Sequence, residues 1–168
     1  MPISDQSNQS WVIKQLKTLN LTSMLDVGAG AGIYAHVFAQ HFPNVERFAV
    51  EAWTPYINEF ELQRVYTEVF NHDIRDHRYF NYDIVIFGDV LEHMTKEDAL
   101  AVWSKVAKKA MYALISIPIV HCPQDAVNGN PFEKHVKDDW THEEVLATFP
   151  QITQFVTSGI VGSYLATF

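Results

Sequence analysis

Asp26, Gly28, Gly30 and Gly32 stand at alternate positions in MLDVGAGAG, directly after a short apolar run. Glycine at every second place strips side chains from one bend of backbone. A ligand can then lie against the main chain, and the next helix can offer its N–H groups to an anion. Other polar groups recur at the ends of apolar runs: Glu51 in RFAVEAW, Asp73 just after YTEVF, and Asp89, Glu92 and His93 in FGDVLEHM. A carboxylate can accept bonds from two hydroxyls at once, and a carboxylate–histidine group can hold a substrate hydroxyl, move its proton or bind a divalent cation. His121 and His135 follow in the polar stretch HCPQDAVNGNPFEKHVKDDW. An imidazole with an ordinary pKa of about 6.5 suits general-base work.

The elements that position these groups are readable from periodicity. Residues 10–19 carry Val12, Leu16 and Leu19 at helical spacing and feed the strand-like SMLDV. After the glycine bend, Ile33, Val37 and Phe38 mark a helix face that Pro43 ends. RFAVEAW is a second strand, and Thr54 with Pro55 opens a helix where proline's missing N–H does no harm. YTEVF, YDIVIFGDV and YALISIPI supply the next three strands. Thr95 and Asp98 form a capping box before a helix with the face Ala99, Leu100, Trp103, Val106 and Ala107. Thr141 and Glu144 form another before a short helix whose entry Trp140 anchors, and ITQFVTSGIVGSYLATF makes two strands about a Ser-Gly turn.

Strand and helix thus alternate before a closing hairpin. The expected fold is α/β: a doubly wound, mostly parallel seven-stranded sheet with helices on both faces and an antiparallel C-terminal hairpin, one domain over residues 1–168. The glycine bend falls at the carboxyl end of the first strand, at the topological switch point where such sheets bind ligands. Residues 121–140 are too many, and too rich in Pro, Asn and Asp, for an idle connector, so they are expected to arch over that site.

A dinucleotide fingerprint requires G-x-G-x-x-G, but after Gly28 and Gly30 the third position is Ile33, and Gly32 comes one residue early. Asp26-x-Gly28-x-Gly30-x-Gly32 instead resembles motif I of the class I S-adenosylmethionine-dependent methyltransferases, and the likeness continues in order through Glu51, Asp73 and FGDVLEHM. The resemblance implies a Rossmann-like domain that binds S-adenosylmethionine through Asp26, Gly28, Ala29, Gly30 and Gly32, with Glu51 on both ribose hydroxyls and Ala52 and Trp53 beside the adenosine. It implies Asp73 near the adenine amino group, the Ile74 N–H at a ring nitrogen, and Gly88 and Asp89 beneath the methionine part and the methyl group.

The implied reaction is in-line methyl transfer to a small-molecule acceptor. Where that acceptor must lose a proton, the candidate bases are His135, His121, Asp89 and His93, in falling order. One branch of the family, the magnesium-dependent RNA 2′-O-methyltransferases, carries Glu-x-x-Glu-His with a further histidine downstream. Here Asp89 replaces the first Glu, and His121 or His135 stands downstream. The sequence LEH also occurs in members that bind no metal, and no metal is assigned.

Composition narrows the partners. A net charge of −8 with only 12 Lys and Arg argues against a polyanionic substrate and suits a cationic sulfonium donor. Cys122 is the single cysteine, so no internal disulfide forms, and no redox or protease pattern surrounds it. No stretch approaches the roughly 20 apolar residues of a membrane span, and MPISDQSNQS lacks the features of a signal peptide. The expectation is a cytoplasmic monomer or homodimer. The alternatives are an RNA or protein methyltransferase, or a protein that binds or cleaves the donor without methyl transfer.

Overall fold

The computed structural model describes residues 4–78 and 81–168. Strands β1 (Ser23–Val27), β2 (Glu46–Val50), β3 (Glu68–Phe70), β4 (Ile84–Gly88), β5 (Tyr112–Pro118), β6 (Ile152–Ser158) and β7 (Val161–Thr167) form one sheet in the order β3-β2-β1-β4-β5-β7-β6. The pairings from β3 to β5 are parallel. β7 inserts antiparallel between β5 and β6, so the hairpin closes the sheet with β6 at its edge.

Burial on both faces explains the apolar runs. In β4, Ile84 and Ile86 face one core while Val85 and Phe87 face the other, the two-residue alternation of a strand covered on both sides. One core takes Val12 and Leu16 of helix α1 (Gln9–Leu16), Phe38 of α2 (Ile33–His41) and Ile57 of α3 (Thr54–Glu59). The other takes Trp103 of α4 (Lys96–Val106) and Val145 of α5 (His142–Thr148). Thr95 and Thr141 cap their helices as the boxes predict, each accepting from an N–H three residues on. Trp140 is fully buried against Phe149 at the entry to α5.

The structure corrects two faces and one strand. In α4 the buried stripe is Ala99, Val102, Trp103 and Val106, and Leu100 is 41% exposed, because the helix packs on the 3-4-7 spacing that runs through Val102. In α2 the buried residues are Tyr34, Ala35, Val37 and Phe38, with Ile33 only half-buried at the first turn. The third strand begins at Glu68 rather than Tyr66. Tyr66 turns inward instead, and its hydroxyl donates to Asp26.

β1 connects to β2 on one side and neighbours β4 on the other, so the strand order reverses at the tips of β1 and β4. Residues 121–140 run past those tips as a strap folded on itself. Cys122 N–H donates to the Asp138 carbonyl at 2.7 Å and His135 N–H to the Gln124 carbonyl at 2.9 Å. No helix among the described residues is long and apolar enough to cross a membrane.

Candidate functional site at the strand tips

Parallel strands deliver their carboxyl ends to one rim, and each brings a polar residue there. After β1, Gly28 sits at φ +65°, and a Cβ on it would lie 2.9 Å from a methyl of Val90, so this position requires glycine both conformationally and sterically. The bend aims Gly30 N–H at Glu51 Oε2, 3.0 Å away, while Trp53 N–H donates to Glu51 Oε1 at 2.8 Å. Glu51 is 5% exposed. Burial raises its carboxyl above the usual range and the two N–H bonds oppose that rise. A carboxylate offers about four acceptor sites, so about two remain.

After β3, Asp73 caps the short 3-10 turn Ile74–Asp76, accepting from Arg75 N–H at 2.8 Å and pairing with the Arg75 guanidinium at 2.7 Å. Arg75 in turn reaches Asp98 at 3.1 Å. Although partial burial pushes it up, the bonds and charge of Arg75 win, and Asp73 is held below its ordinary pKa.

The β4 tip is built differently. Asp89 adopts φ +56°, a left-handed conformation that side chains other than glycine rarely take. The N-terminal segment pins it: Ser4 Oγ donates to the Gly88 carbonyl at 3.1 Å, and Asp5 N–H to Asp89 Oδ2 at 2.7 Å. Burial pushes the Asp89 carboxyl up to about 6. Behind it, Glu92 is 1% exposed, and neither of its carboxylate oxygens has a hydrogen-bond partner among the described residues. Burial and the neighbouring Asp89 charge hold Glu92 well above the carboxylate range. His93 is pushed below its usual pKa by burial, and its ring stands edge-on to His135 with centroids 4.8 Å apart.

These tips enclose a cleft of about 810 Å³, including its open mouth. Gly28, Gly30, Glu51, Ala52, Asp73 and Ile74 line it on the β1–β3 side, and Gly88, Asp89 and His93 on the β4 side. Seven residues singled out from the sequence do not line it, Glu92 behind Asp89 among them. Asp26 lies beneath the bend, 2% exposed, bonded to Tyr66 and pushed up by burial to about 7. Gly32 faces Leu62, Val65 and Tyr66 as the start of α2, Ala29 is buried among core residues, and Trp53 is the residue before α3. His121 is an exposed residue of the strap, 3.8 Å from Asp138, and His135 points at the Cys122 carbonyl. Of the four candidate bases, Asp89 and His93 line the cleft.

The strap does arch over the site, but through residues the spacing did not single out. Asn130, Phe132 and Glu133 line the cleft, and Tyr56 of α3 donates to Glu133 Oε1 at 3.1 Å, tying the strap to the β2 side. The Asn-Pro pair at 130–131 was the only local signal, and Asn130 does cap the turn that presents Phe132 and Glu133. Ser4 had no signal at all.

No protein-family model matches the sequence, and no curated protein matches it. Solved structures do. A S-adenosylmethionine-dependent methyltransferase from Clostridium acetobutylicum ATCC 824 superposes with a TM-score of 0.73 at 13% identity, over 98% of this chain and 92% of that one. The magnesium protoporphyrin IX methyltransferase from Synechocystis PCC 6803, with bound S-adenosylmethionine, gives 0.67 at 17% identity, over 96% and 76%. A chain from Nostoc punctiforme PCC 73102, provisionally assigned as an O-methyltransferase, gives 0.73 at 16% identity, over 97% of this chain but 56% of that one, so this chain spans little more than half its length. With the strand order, the glycine bend and the rim of polar tips, these likenesses establish that the chain has the class I S-adenosylmethionine-dependent methyltransferase fold.

Proposed function

We infer that the protein transfers a methyl group from S-adenosylmethionine to a small-molecule acceptor. The observation that carries this reading is Glu51: a buried carboxylate at the β2 tip, fixed by two backbone N–H groups, with acceptor sites left for a ribose diol. Asp73 and the Ile74 N–H stand beside it for the adenine, and the side-chain-free surface of Gly28 and Gly30 takes the rest of the donor. S-adenosylmethionine supplies an electrophilic methyl carbon, and its thioether leaves without needing a proton.

The chain's task is then mainly positioning, since a near-attack geometry of roughly 3 to 3.5 Å supplies most of the rate. Asp89 and His93 line the β4 side, where an acceptor would sit, and Asp89, poised at about 6, accepts the proton of a hydroxyl or ammonium acceptor near neutral pH. Arg75 and the histidines apart, the lining carries no basic residue among the described residues, and Glu51, Asp73, Asp89 and Glu133 give it an acidic wall. That supports a neutral or cationic metabolite over a nucleic acid, in keeping with the net charge of −8.

The test is a calorimetric titration of S-adenosylmethionine into ligand-free protein, followed by methyl-labelled donor with fractionated extract. Saturable binding and label in the small-molecule fraction are expected. No binding heat would sink the reading. Label in RNA or protein would replace the acceptor class, and binding or donor breakdown without transfer would make the chain a donor-binding or donor-cleaving protein.

A further inference from the structure

Glu92 and His93 close the 3-10 turn Leu91–His93 after β4, and His135 belongs to the strap that folds back over that turn. One ligand atom from each of these three side chains lies within 4.8 Å of the other two. Main-chain bonds hold the two segments together: Val136 and Lys137 both donate to the Glu92 carbonyl, at 2.8 and 3.0 Å. Nδ1 of His93 faces the Lys134 carbonyl at 3.1 Å, and Nδ1 of His135 faces that of Cys122. A carbonyl only accepts, so each Nδ1 carries its ring's hydrogen and each Nε2 keeps a lone pair. That outer bond is the one that orients a metal-ligating imidazole. Glu92 is 1% exposed, and both of its carboxylate oxygens lack partners among the described residues. A buried carboxylate that is charged needs a paired cation or a metal.

We propose that Glu92, His93 and His135 bind one divalent transition-metal ion at the wall of the cleft. Two imidazoles and one carboxylate favour a borderline cation such as zinc over magnesium, which prefers oxygen ligands and keeps its waters. Asp89, which the sequence pattern would have placed in such a set, is outside it: its Oδ2 is taken by the Asp5 N–H. Zinc bonds of about 2.0 to 2.2 Å require the three ligand atoms to draw closer than the 4.8 Å span over which they stand. Three protein ligands leave a position open, and His93 also lines the cleft. A cation there would attract an oxygen-bearing acceptor and ease loss of a hydroxyl proton. This use rests on the methyl-transfer reading, whereas the site itself does not.

Full-length protein stripped with a chelator, then titrated with zinc by calorimetry and with cobalt(II) by visible absorption, tests the site. One saturable equivalent is expected, weakened at least about tenfold in Glu92→Gln and in His135→Gln, and unchanged in His121→Gln, an exposed strap histidine outside the trio. Circular dichroism checks folding, and if Glu92→Gln does not fold, His93→Gln takes its place. No saturable equivalent in the unmodified protein, or equal affinity in His135→Gln, overturns the proposal. Titrating S-adenosylmethionine into the same stripped protein separates the two readings: metal binding without donor binding removes methyl transfer and keeps the site, and donor binding without metal binding does the reverse.

Discussion

Glu51 and Glu92 are both carboxylates buried just past a parallel strand, yet their surroundings differ. Each oxygen of Glu51 meets a backbone N–H, from Gly30 and Trp53, whereas neither oxygen of Glu92 meets any donor among the described residues. On the β1–β3 side of the cleft the polar groups are held in place by backbone N–H bonds. The β4 side is crowded with acids held above their ordinary pKa, Asp89 at about 6 and Glu92 well above the carboxylate range. A satisfied group binds by shape and leftover acceptor sites, and an unsatisfied one awaits a proton or a cation. On the proposed methyl-transfer reading, the β1–β3 side recognises the donor and the β4 side carries the chemistry.

The contrast breaks most visibly at Asp89. Asp89→Asn should slow turnover by about 10² to 10⁴, the usual range for a general base, while the donor dissociation constant moves far less. In the unmodified protein turnover should rise with pH through about 6, as the carboxyl gives up its proton, and the variant should lose that limb. A pH–rate profile on both proteins decides it, and a retained limb would move the base elsewhere.

Next in size is Glu51→Ala, which removes the acceptor for a charged-group hydrogen bond and leaves two N–H groups unpaired. Donor binding should weaken by about 1.5 to 3 kcal/mol by calorimetry, the range for bonds to a charged group. An unchanged constant would mean that the β2 tip does not touch the donor.

The smallest effect concerns Asp26, which supports the bend from below. Its folded pKa of about 7 lies above the ordinary 3.8, so the folded state binds the proton more tightly. Its contribution to stability is therefore complete below about pH 3.8 and fades as pH rises through about 7. Asp26→Asn can still accept from Tyr66 but cannot ionise, so thermal melts between pH 5 and 8 should show a flatter pH dependence than the parent. An identical slope in both proteins would show that Asp26 does not titrate there.

How much of this was readable in advance follows the same division. On the β1–β3 side every residue that lines the cleft and was named beforehand comes from a strand end or the bend after it, so a local pattern suffices: Gly28, Gly30, Glu51, Ala52, Asp73 and Ile74. What the structure adds there is orientation. Asp26 and Gly32 sit in the right bend but point into the protein, because a turn of backbone presents only some of its positions outward. On the β4 side the strap's arch was foreseeable from composition, but neither of its histidines lines the cleft. Asn130, Phe132 and Glu133 line it instead, because the strap pairs with itself and shows the cleft one edge.

The sequence by itself determined the alternation of strand and helix, the parallel sheet and the row of polar groups at its carboxyl rim, since burial on two faces and capping act over a few residues. Only the tertiary structure decided that Ser4 would meet Gly88, that Tyr56 would hold Glu133, and that His135 would stand against Glu92 and His93. Those contacts join segments tens of residues apart, and what selects them is the packing of the strap and the N-terminal segment around the strand tips, which no local spacing encodes.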